Sequence, residues 1–185
     1  MDSSATAIAL ARQNMLLNLD MMSVETDKPE TVDANGCGGI GRLSPDVISF
    51  VEDDALKYMK RQLVANKALN QPVLYDIVVC DPPKLATSVK GLHKAINKYV
   101  EINALAMQLV VDGGLLCTFS CSGVIAQQGK MTKILQLAAK KAGKRVTVLK
   151  QLAPGNDHPI SLTYLEGVYL SGYLVRVCND SPKKR

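Results

Sequence analysis

Short apolar runs alternate with amphipathic stretches in the middle of the chain. One apolar run covers residues 75–80 and stops at Asp81, and another covers residues 115–119 and ends in a polar turn at residues 120–123. Between them, apolar residues recur at helical spacing over residues 88–110. This pattern predicts a βαβ unit with parallel strands. Because ligands bind outside the carboxyl ends of such strands, we predict that Asp81 and Cys121 lie at one rim of the sheet.

The flanking segments predict further helices and strands around this unit. Residues 5–19 follow an Asp-Ser-Ser cap and carry apolar residues on one helical face. The predicted helices are residues 5–19, 55–69, 88–110 and 127–142, and the predicted strands are residues 47–51, 75–80, 115–119, 146–149 and 172–177. We therefore predict one α/β domain over residues 1–178, with a flexible insertion at 23–45 and a polar tail at 179–185.

The insertion contains a glycine-rich stretch that matches a dinucleotide-binding pattern. Residues 36–41 spell Gly-Cys-Gly-Gly-Ile-Gly, which fits GxGxxG. Such a loop needs a strand before it and a helix after it, and residues 31–35 and 42–45 predict neither. The pattern therefore favours a surface loop over a cofactor loop.

Composition limits the classes of protein that fit. The chain has 185 residues, of which 47% are hydrophobic and 21% are charged, enough for one domain with a sizeable core. No apolar run approaches the ~20 residues that span a bilayer, and the first residues do not predict a secretory signal. The five cysteines have no CxxC spacing, so we expect neither a disulfide framework nor a metal site. A reducing compartment such as the cytoplasm is favoured.

The charge of the chain permits an anionic partner such as RNA. The net charge is +5, from 22 basic and 17 acidic residues. Lys90, Lys94 and Lys98 repeat every four residues along the predicted helix at 88–110. A lysine stripe suits phosphate contacts, although a solvated helix face is the simpler interpretation.

The turn after residue 80 has a composition that suits a binding edge. It consists of Asp81, Pro82, Pro83 and Lys84. Two prolines fix the backbone and remove two N–H donors. A planar heterocycle can lie against such a stiff edge while the Asp81 carboxylate or nearby carbonyl groups bind its polar atoms.

Cys121 is the candidate nucleophile, because it lies between two serines and before a glycine, directly after an apolar strand. Cys80, Cys117 and Cys178 are predicted to be buried hydrophobic residues instead. The thiol pKa must fall from ~8.5 for strong nucleophilicity near neutral pH. A helix after the turn could lower that pKa by pointing amide groups at the sulfur atom.

Acidic residues follow the predicted strand at 47–51. Glu52, Asp53 and Asp54 can accept hydrogen bonds from hydroxyl or amino groups of a ligand. They can equally stabilise the N-terminus of the next helix electrostatically. Position alone does not separate these two interpretations.

Several motifs taken in order resemble one known family. They are YDIVVCDPPK at 75–84, SCSG at 120–123, DHP at 157–159 and EGVYL at 166–170. They resemble the S-adenosylmethionine-dependent ribosomal RNA large-subunit cytosine-5 methyltransferases that are joined to an N-terminal PUA domain. The resemblance implies a Rossmann-like class I methyltransferase sheet with helices on both faces. It also implies S-adenosyl-L-methionine as the cofactor and RNA, in particular ribosomal RNA, as the partner.

The resemblance also implies two catalytic residues. Cys121 aligns with the nucleophile that adds to carbon 6 of cytosine, after which carbon 5 can attack a methyl group. Asp81 is implied to hold the edge of the ring at nitrogen 3 or the amino group. The base must leave its stack to be reached.

Binding roles follow from the same resemblance. Asp2 is implied to bind the cofactor ribose, Asp53 and Asp54 to meet the adenine, with Asp54 favoured, and Asp81 and Pro82 to lie at the methionine side. The residues implied to contact the substrate are Pro83, Lys84 and His158. No metal is implied.

Two features of the family pattern are missing from the sequence. The glycine-rich first motif, which precedes the acidic residue at Asp2, is absent, and so is the PUA domain. The stretch at 36–41 comes after Asp2, in the wrong order. We therefore expect either an N-terminally truncated piece of a longer protein or a degenerate, catalytically impaired paralogue that binds RNA. A third hypothesis moves the target to an exocyclic amine, since Asp-Pro-Pro resembles the turn of amino-methyltransferases.

Overall fold

The computed structural model describes residues 2–22, 48–86, 91–164 and 167–180. The chain divides into two units, residues 1–58 and residues 59–185. The helices are α1 (Ala5–Met22), α2 (Ala55–Lys67), α3 (Leu92–Gln108), α4 (Gly123–Gln127) and α5 (Met131–Ala142), and the strands are β1 (Tyr75–Cys80), β2 (Val110–Ser120), β3 (Lys144–Leu152) and β4 (Ser171–Asn179). The predicted insertion, its GxGxxG stretch and Lys90 lie outside the described residues.

In the first unit, α1 begins at the predicted cap. The Ser4 hydroxyl accepts a hydrogen bond from the Ala7 N–H at 3.3 Å, which satisfies a donor that the first helical turn leaves unpaired. Ile8 is buried, as its position on the apolar face predicts, whereas Leu16 and Leu17 are exposed. The helix extends to Met22, three residues beyond the prediction.

The strand predicted at residues 47–51 is not observed over the part of it that the structure describes. Residues 48–51 form no regular strand, and Val47 lies outside the described residues. A single parallel bridge instead joins Asp2 to Glu52. In it, Asp2 N–H donates to the Val51 carbonyl at 3.2 Å and Asp53 N–H donates to the Asp2 carbonyl at 2.9 Å. A ladder of one bridge is too short to form a strand.

The second unit contains the predicted βαβ arrangement. Strand β1 pairs with β2 in parallel, with Cys80 opposite Thr118, and α3 connects the two strands. The four-stranded sheet has the order β1-β2-β4-β3, and β4 runs antiparallel to both of its neighbours. Both strands of the parallel pair therefore end at the same rim, where β1 stops at Cys80 and β2 stops at Ser120.

The core of this unit lies between the sheet and the helices α3 and α5, which pack against each other. The side chains that α5 buries are the ones that its periodicity predicts, namely Met131, Ile134, Leu135 and Ala138. From the sheet, Leu116, Val175 and Val177 are fully buried. On β1, Ile77 and Val79 are exposed and alternate with the half-buried Val78 and the buried Cys80.

The helix predicted at 127–142 begins later than expected. Helix α5 begins at Met131, and Gln127 is instead the last residue of α4, a short helix that the pattern does not predict. Gly129 between them has a φ of +59°, in the left-handed region that interrupts a helix and that glycine adopts at little cost.

The burial of two cysteines differs from the prediction. Cys80 is buried as expected, but Cys117 and Cys178 are half-buried. Cys117 lies between the fully buried Leu116 and Thr118 on β2, so its side chain points to the opposite face of the sheet. Cys178 alternates with the buried Val177 in the same way.

Candidate active site

The structure brings Asp81 and Cys121 together at the rim formed by the carboxyl ends of β1 and β2. Asp81 follows Cys80, the last residue of β1, and Cys121 follows Ser120, the last residue of β2. The Cys121 thiol donates a hydrogen bond to Oδ1 of Asp81, with 3.9 Å between sulfur and oxygen. The predicted proximity of the two residues is thus observed, and their catalytic roles stay predictions.

The electrostatics at the thiol differ from the expectation. Burial raises the pKa of Cys121, and the charge of Asp81 and the hydrogen bond to it raise that pKa further. Two amide groups in the first turn of α4 are not directed at the sulfur atom. The N–H groups of Ile125 and Ala126 donate to the carbonyl of Ser122 instead, at 2.9 and 3.1 Å. The expected lowering of the thiol pKa by the helix is therefore wrong for the free chain.

Two neighbouring thiols are less suited to act as the nucleophile. Burial raises the pKa of Cys80 to about 11, with the Asp81 charge adding to the effect and a hydrogen bond with Thr118 opposing it. Burial, followed by the Asp81 charge, also raises the pKa of Cys117. Cys80 is buried inside the strand, so among the cysteines that the structure describes, Cys121 is the one that combines partial exposure with a position past a strand end.

The segment that carries Asp81 is the diproline turn, residues 81–86. Asp81, Pro83 and Lys84 are exposed, whereas Pro82 is half-buried. The turn runs from the end of β1 to Ala86, which is fully buried. Its exposed side is thus available to a ligand while its far end is fixed in the protein.

A buried polar cluster behind the rim was missed by the sequence analysis. The Ser122 hydroxyl accepts a hydrogen bond from the Ala86 N–H at 3.1 Å and forms another with the Tyr99 hydroxyl at 2.9 Å. Asn103 donates to the Tyr99 carbonyl at 2.8 Å and accepts from the Thr118 hydroxyl at 2.7 Å. All of these side chains are fully buried. A signal was available in Asn103, a polar residue on the apolar stripe of α3.

His158 lies in the segment between β3 and β4. Its backbone N–H donates to the Gly155 carbonyl at 2.9 Å, which closes a turn. Its ring Nδ1 is 3.1 Å from Oδ1 of Asp157, and both side chains are exposed. The hydrogen bond from His158 lowers the pKa of Asp157. A substrate contact by His158 stays a prediction.

Three of the acidic residues implied to bind the cofactor, Asp2, Asp53 and Asp54, belong to the first unit, and each carboxylate accepts a local backbone hydrogen bond. Oδ1 of Asp2 accepts from Ser4 N–H at 2.7 Å, and Oδ1 of Asp53 accepts from Asp54 N–H at 2.8 Å. Oδ1 of Asp54 accepts from Lys57 N–H at 2.9 Å and so caps α2. The capping interpretation is confirmed for Asp54, and a ligand contact by its other oxygen stays a prediction.

Among the residues that the structure describes, no helix has the length and apolar character that a bilayer crossing requires. Within the same residues, no group of three or more histidine, cysteine, aspartate or glutamate side chains could hold a metal ion.

The fold belongs to a known class. The mixed α/β sheet and a solved structure with the same architecture confirm the predicted Rossmann-like class I methyltransferase fold. That structure is a Streptococcus mutans protein assigned as an S-adenosylmethionine-dependent methyltransferase, with a TM-score of 0.51, 17% identity, and coverage of 67% of this chain and 29% of that chain. At this level of identity the similarity is one of fold.

By sequence, the chain is similar to proteins named Ribosomal RNA large subunit methyltransferase I. It is 36% identical to the one from Klebsiella pneumoniae (strain 342) over 177 residues, which is 95% of this chain. It is 34% identical to the one from Escherichia coli (strain SE11) over 177 residues, again 95% of this chain. The chain spans about a third of the length of these curated relatives, 36% and 37% respectively. No family model matches the chain.

Proposed function

We propose that this chain is the part of an S-adenosylmethionine-dependent RNA methyltransferase that methylates carbon 5 of a cytosine in ribosomal RNA, with Cys121 as the nucleophile. One observation carries the proposal: the 3.9 Å contact between the Cys121 thiol and the Asp81 carboxylate, each just past the end of one of two adjacent parallel strands. The names of the relatives that match 95% of the chain support ribosomal RNA as the substrate class.

The described acidic residues fit the polar part of S-adenosylmethionine. The bridge between Asp2 and Glu52 places carboxylate side chains on two neighbouring segments of the first unit. Carboxylates accept hydrogen bonds from hydroxyl and amino groups, so Asp2 suits the ribose and Asp53 or Asp54 the adenine. In the second unit, Asp81 and Pro82 suit the methionine side. When bound, the cofactor supplies an electrophilic methyl group.

Cys121 is the residue that activates the ring. Carbon 5 of cytosine is a poor nucleophile until a group adds to carbon 6. As the sulfur–carbon bond forms at carbon 6, the electron pair of the 5,6 double bond becomes available at carbon 5. After carbon 5 is methylated, a base such as a water molecule takes the carbon 5 proton. The electron pair of that bond restores the 5,6 double bond, and the sulfur leaves carbon 6 as thiolate.

Asp81 has two tasks in this proposal. It accepts the hydrogen bond of the thiol, so it can take the thiol proton as sulfur adds to the ring. It can then deliver that proton to nitrogen 3, where negative charge develops, and take it back for the thiolate when the sulfur leaves the ring. Pro82 and Pro83 stiffen the turn that carries Asp81, which limits its motion during these transfers.

The contacts to RNA are proposed for the exposed side of the same region. Pro83 offers an apolar edge to a base, and Lys84 offers a charge to a phosphate group. His158 is exposed between β3 and β4 and suits either a phosphate or a base. A base flipped out of its stack could reach these groups.

Methyl transfer from labelled S-adenosylmethionine to large-subunit ribosomal RNA tests the proposal. The native chain should transfer label, and Cys121→Ala should abolish the transfer. Cys178→Ala is the matched control, because Cys178 is another half-buried thiol at a strand position away from the rim. Transfer that survives in Cys121→Ala at the native rate would rule out the nucleophilic role.

A covalent trap identifies the target atom. RNA that carries 5-fluorocytosine should form a stable adduct with Cys121, because the fluorine at carbon 5 cannot leave as a proton does. An exocyclic amine as the methyl acceptor needs no thiol adduct. Efficient methylation without any adduct would therefore favour amine methylation.

The alternative function is an RNA-binding remnant without catalysis. Two observations favour it: the raised pKa of Cys121 and the exposure of Lys94 and Lys98 on one helix. A remnant should bind RNA without affinity for the cofactor product. Calorimetry with S-adenosylhomocysteine separates the two functions, since tight binding would exclude the remnant.

A further inference from the structure

The hydroxyl of Ser122 lies where three segments of the second unit meet. It is fully buried, directly after Cys121, and it bonds to the Ala86 N–H at 3.1 Å and to the Tyr99 hydroxyl at 2.9 Å. Ala86 ends the diproline turn and Tyr99 belongs to α3. One side chain thus connects the turn that carries Asp81, the residue next to the candidate nucleophile and the core helix.

The two prolines limit how the diproline turn can be attached. Pro82 and Pro83 lack N–H donors, so neither can anchor the turn by a backbone donor. The turn follows Cys80, which the sheet pairs with Thr118, and its far end is tied by the Ala86 N–H. Because the prolines make the turn stiff, the position of Asp81 depends on both ends.

We propose that Ser122 is a positioning residue whose hydroxyl sets the distance between the Asp81 carboxylate and the Cys121 thiol. The catalytic meaning of this inference rests on the proposed function, but the distance between the carboxylate and the thiol is a property of the free chain. Ser122 touches neither sulfur nor carboxylate through its own hydroxyl. It acts through the Ala86 N–H on one side and through its peptide link to Cys121 on the other.

The cluster behind Ser122 gives its hydroxyl a fixed place. Tyr99 is fully buried on α3, and the helix is joined to β2 by the Asn103 amide, which accepts from the Thr118 hydroxyl. Ser122 N–H also donates to the Ser120 hydroxyl at 3.3 Å, which holds the backbone at the end of β2. The hydroxyl is therefore held from the helix side and from the sheet side.

The test measures how readily the Cys121 thiol reacts with iodoacetamide over a range of pH. Mass spectrometry with fragment ions that separate Cys121 from Cys117 gives the midpoint pH of the reaction. In Asp81→Asn the midpoint should move to lower pH, because burial then acts on the thiol without the neighbouring negative charge that disfavours the thiolate. In Ser122→Ala it should move in the same direction, because Asp81 is no longer held beside the sulfur.

A double-variant comparison shows whether Ser122 acts through Asp81. If it does, Ser122→Ala should cause little further change in the Asp81→Asn background. An equal change in both backgrounds, or no change in either, would overturn the proposal. Neither cofactor nor RNA enters this measurement, so its failure is distinct from a failure of methyl transfer.

Asn66→Ala is the matched control for loss of a buried polar side chain. Asn66 bonds to the backbone of Val73 at 2.8 and 3.0 Å and to Gln62, outside both the cluster behind Ser122 and the diproline turn, so the Cys121 midpoint should stay at the native value. A midpoint in Asn66→Ala that matches Ser122→Ala would reduce the effect to loosening of the core and overturn the proposal. Circular dichroism checks that each variant is folded.

A second variant keeps the proposal testable if Ser122→Ala does not fold. Tyr99→Phe keeps the ring in the core and removes only the hydroxyl that holds Ser122. Its midpoint should move in the same direction by a smaller amount, because the Ala86 hydrogen bond is retained. A native midpoint in Tyr99→Phe, with Ser122→Ala unfolded, would overturn the proposal.

Discussion

The Cys121 thiol donates its hydrogen bond to the Asp81 carboxylate across 3.9 Å, although the two residues follow different strands. This contact has opposite consequences before and during the proposed reaction. In the free chain it adds to burial in raising the pKa of Cys121, so the thiol stays protonated near neutral pH. Once a cytosine engages Asp81, the same carboxylate is the acceptor for the thiol proton.

Asp81→Asn should therefore change the reactivity of the Cys121 thiol and the rate of methyl transfer in opposite directions. Reaction of Cys121 with iodoacetamide at neutral pH should become faster, because the variant removes the negative charge that disfavours the thiolate. Methyl transfer should fall by at least about 100-fold, because an amide cannot take and return a proton. Rates of alkylation and of label transfer, measured on the same sample, check both directions.

The control for this variant is Asp180→Asn, which removes an exposed carboxylate just after β4. Both rates should stay at the native value there. A slower alkylation in Asp81→Asn would contradict the electrostatic argument, and unchanged transfer would contradict the proton role of Asp81.

Much of the second unit could be predicted from the sequence, because the signals there are local. The βαβ pattern, the rim position of Asp81 and Cys121 and the buried face of α5 all follow from periodicity and from the rule for parallel strands. The break between α4 and α5 at Gly129 was not predicted, although glycine commonly lies just past the end of a helix.

The direction of the pKa shift of Cys121 and the buried contacts of Ser122 could not be predicted in this way. Ser122 meets Ala86 and Tyr99, which are 36 and 23 residues away along the chain. Side-chain contacts over such separations depend on the packed core, which leaves no periodic pattern. The sequence placed Asp81 near Cys121, but the direction of the pKa shift follows from how far the folded chain buries the sulfur atom and how close it brings the carboxylate charge.

Asn103→Ala should test the energetic weight of the buried polar cluster. The variant removes the partner of the Thr118 hydroxyl and of the Tyr99 carbonyl, and it leaves a small cavity. We expect the free energy of unfolding to fall by about 2 kcal/mol, the scale for buried polar groups left without partners. Urea denaturation followed by circular dichroism gives the difference.

Asn97→Ala is the matched control on the same helix. Asn97 is exposed, with a long contact of 3.5 Å to His93, and its replacement should change the free energy of unfolding by no more than about 0.5 kcal/mol. Equal losses in the two variants would mean that burial of Asn103 is not what makes it matter.

Gly172→Ala should destabilise the sheet at the end of β2. Gly172 pairs with Phe119, and a Cβ atom on Gly172 would lie 2.7 Å from the Phe119 ring. The ring must move to admit the methyl group, so we expect a loss of about 1 to 3 kcal/mol in the free energy of unfolding. Phe119→Leu in the Gly172→Ala background should recover part of that loss by removing the ring.

Gly91→Ala provides the comparison for this substitution. Gly91 precedes α3, and a Cβ atom there would meet no atom within 4 Å. Thermal denaturation should show a native or slightly higher midpoint, because alanine restricts the unfolded chain more than glycine does. A loss at Gly91 as large as the loss at Gly172 would rule out the ring contact as the cause.

The ion pair between Lys60 and Glu101 should make a small contribution to stability that depends on pH. Lys60 Nζ lies 2.6 Å from Glu101 Oε1, and this hydrogen bond lowers the pKa of Glu101. A carboxyl group with a lowered pKa stabilises the folded state above its unfolded pKa of ~4.3, and the contribution disappears as the pH falls through the folded pKa. Both side chains are partly exposed, so solvent screening limits the contribution to about 0.5 kcal/mol.

Lys60→Met should therefore lower the free energy of unfolding by about 0.5 kcal/mol at neutral pH, and the difference should vanish in acid once Glu101 is protonated. Urea titrations at a series of pH values measure this difference, with Lys67→Met on the same helix as the control. A difference for Lys60→Met that persists in acid would show that the lysine stabilises the helix by packing rather than by its charge.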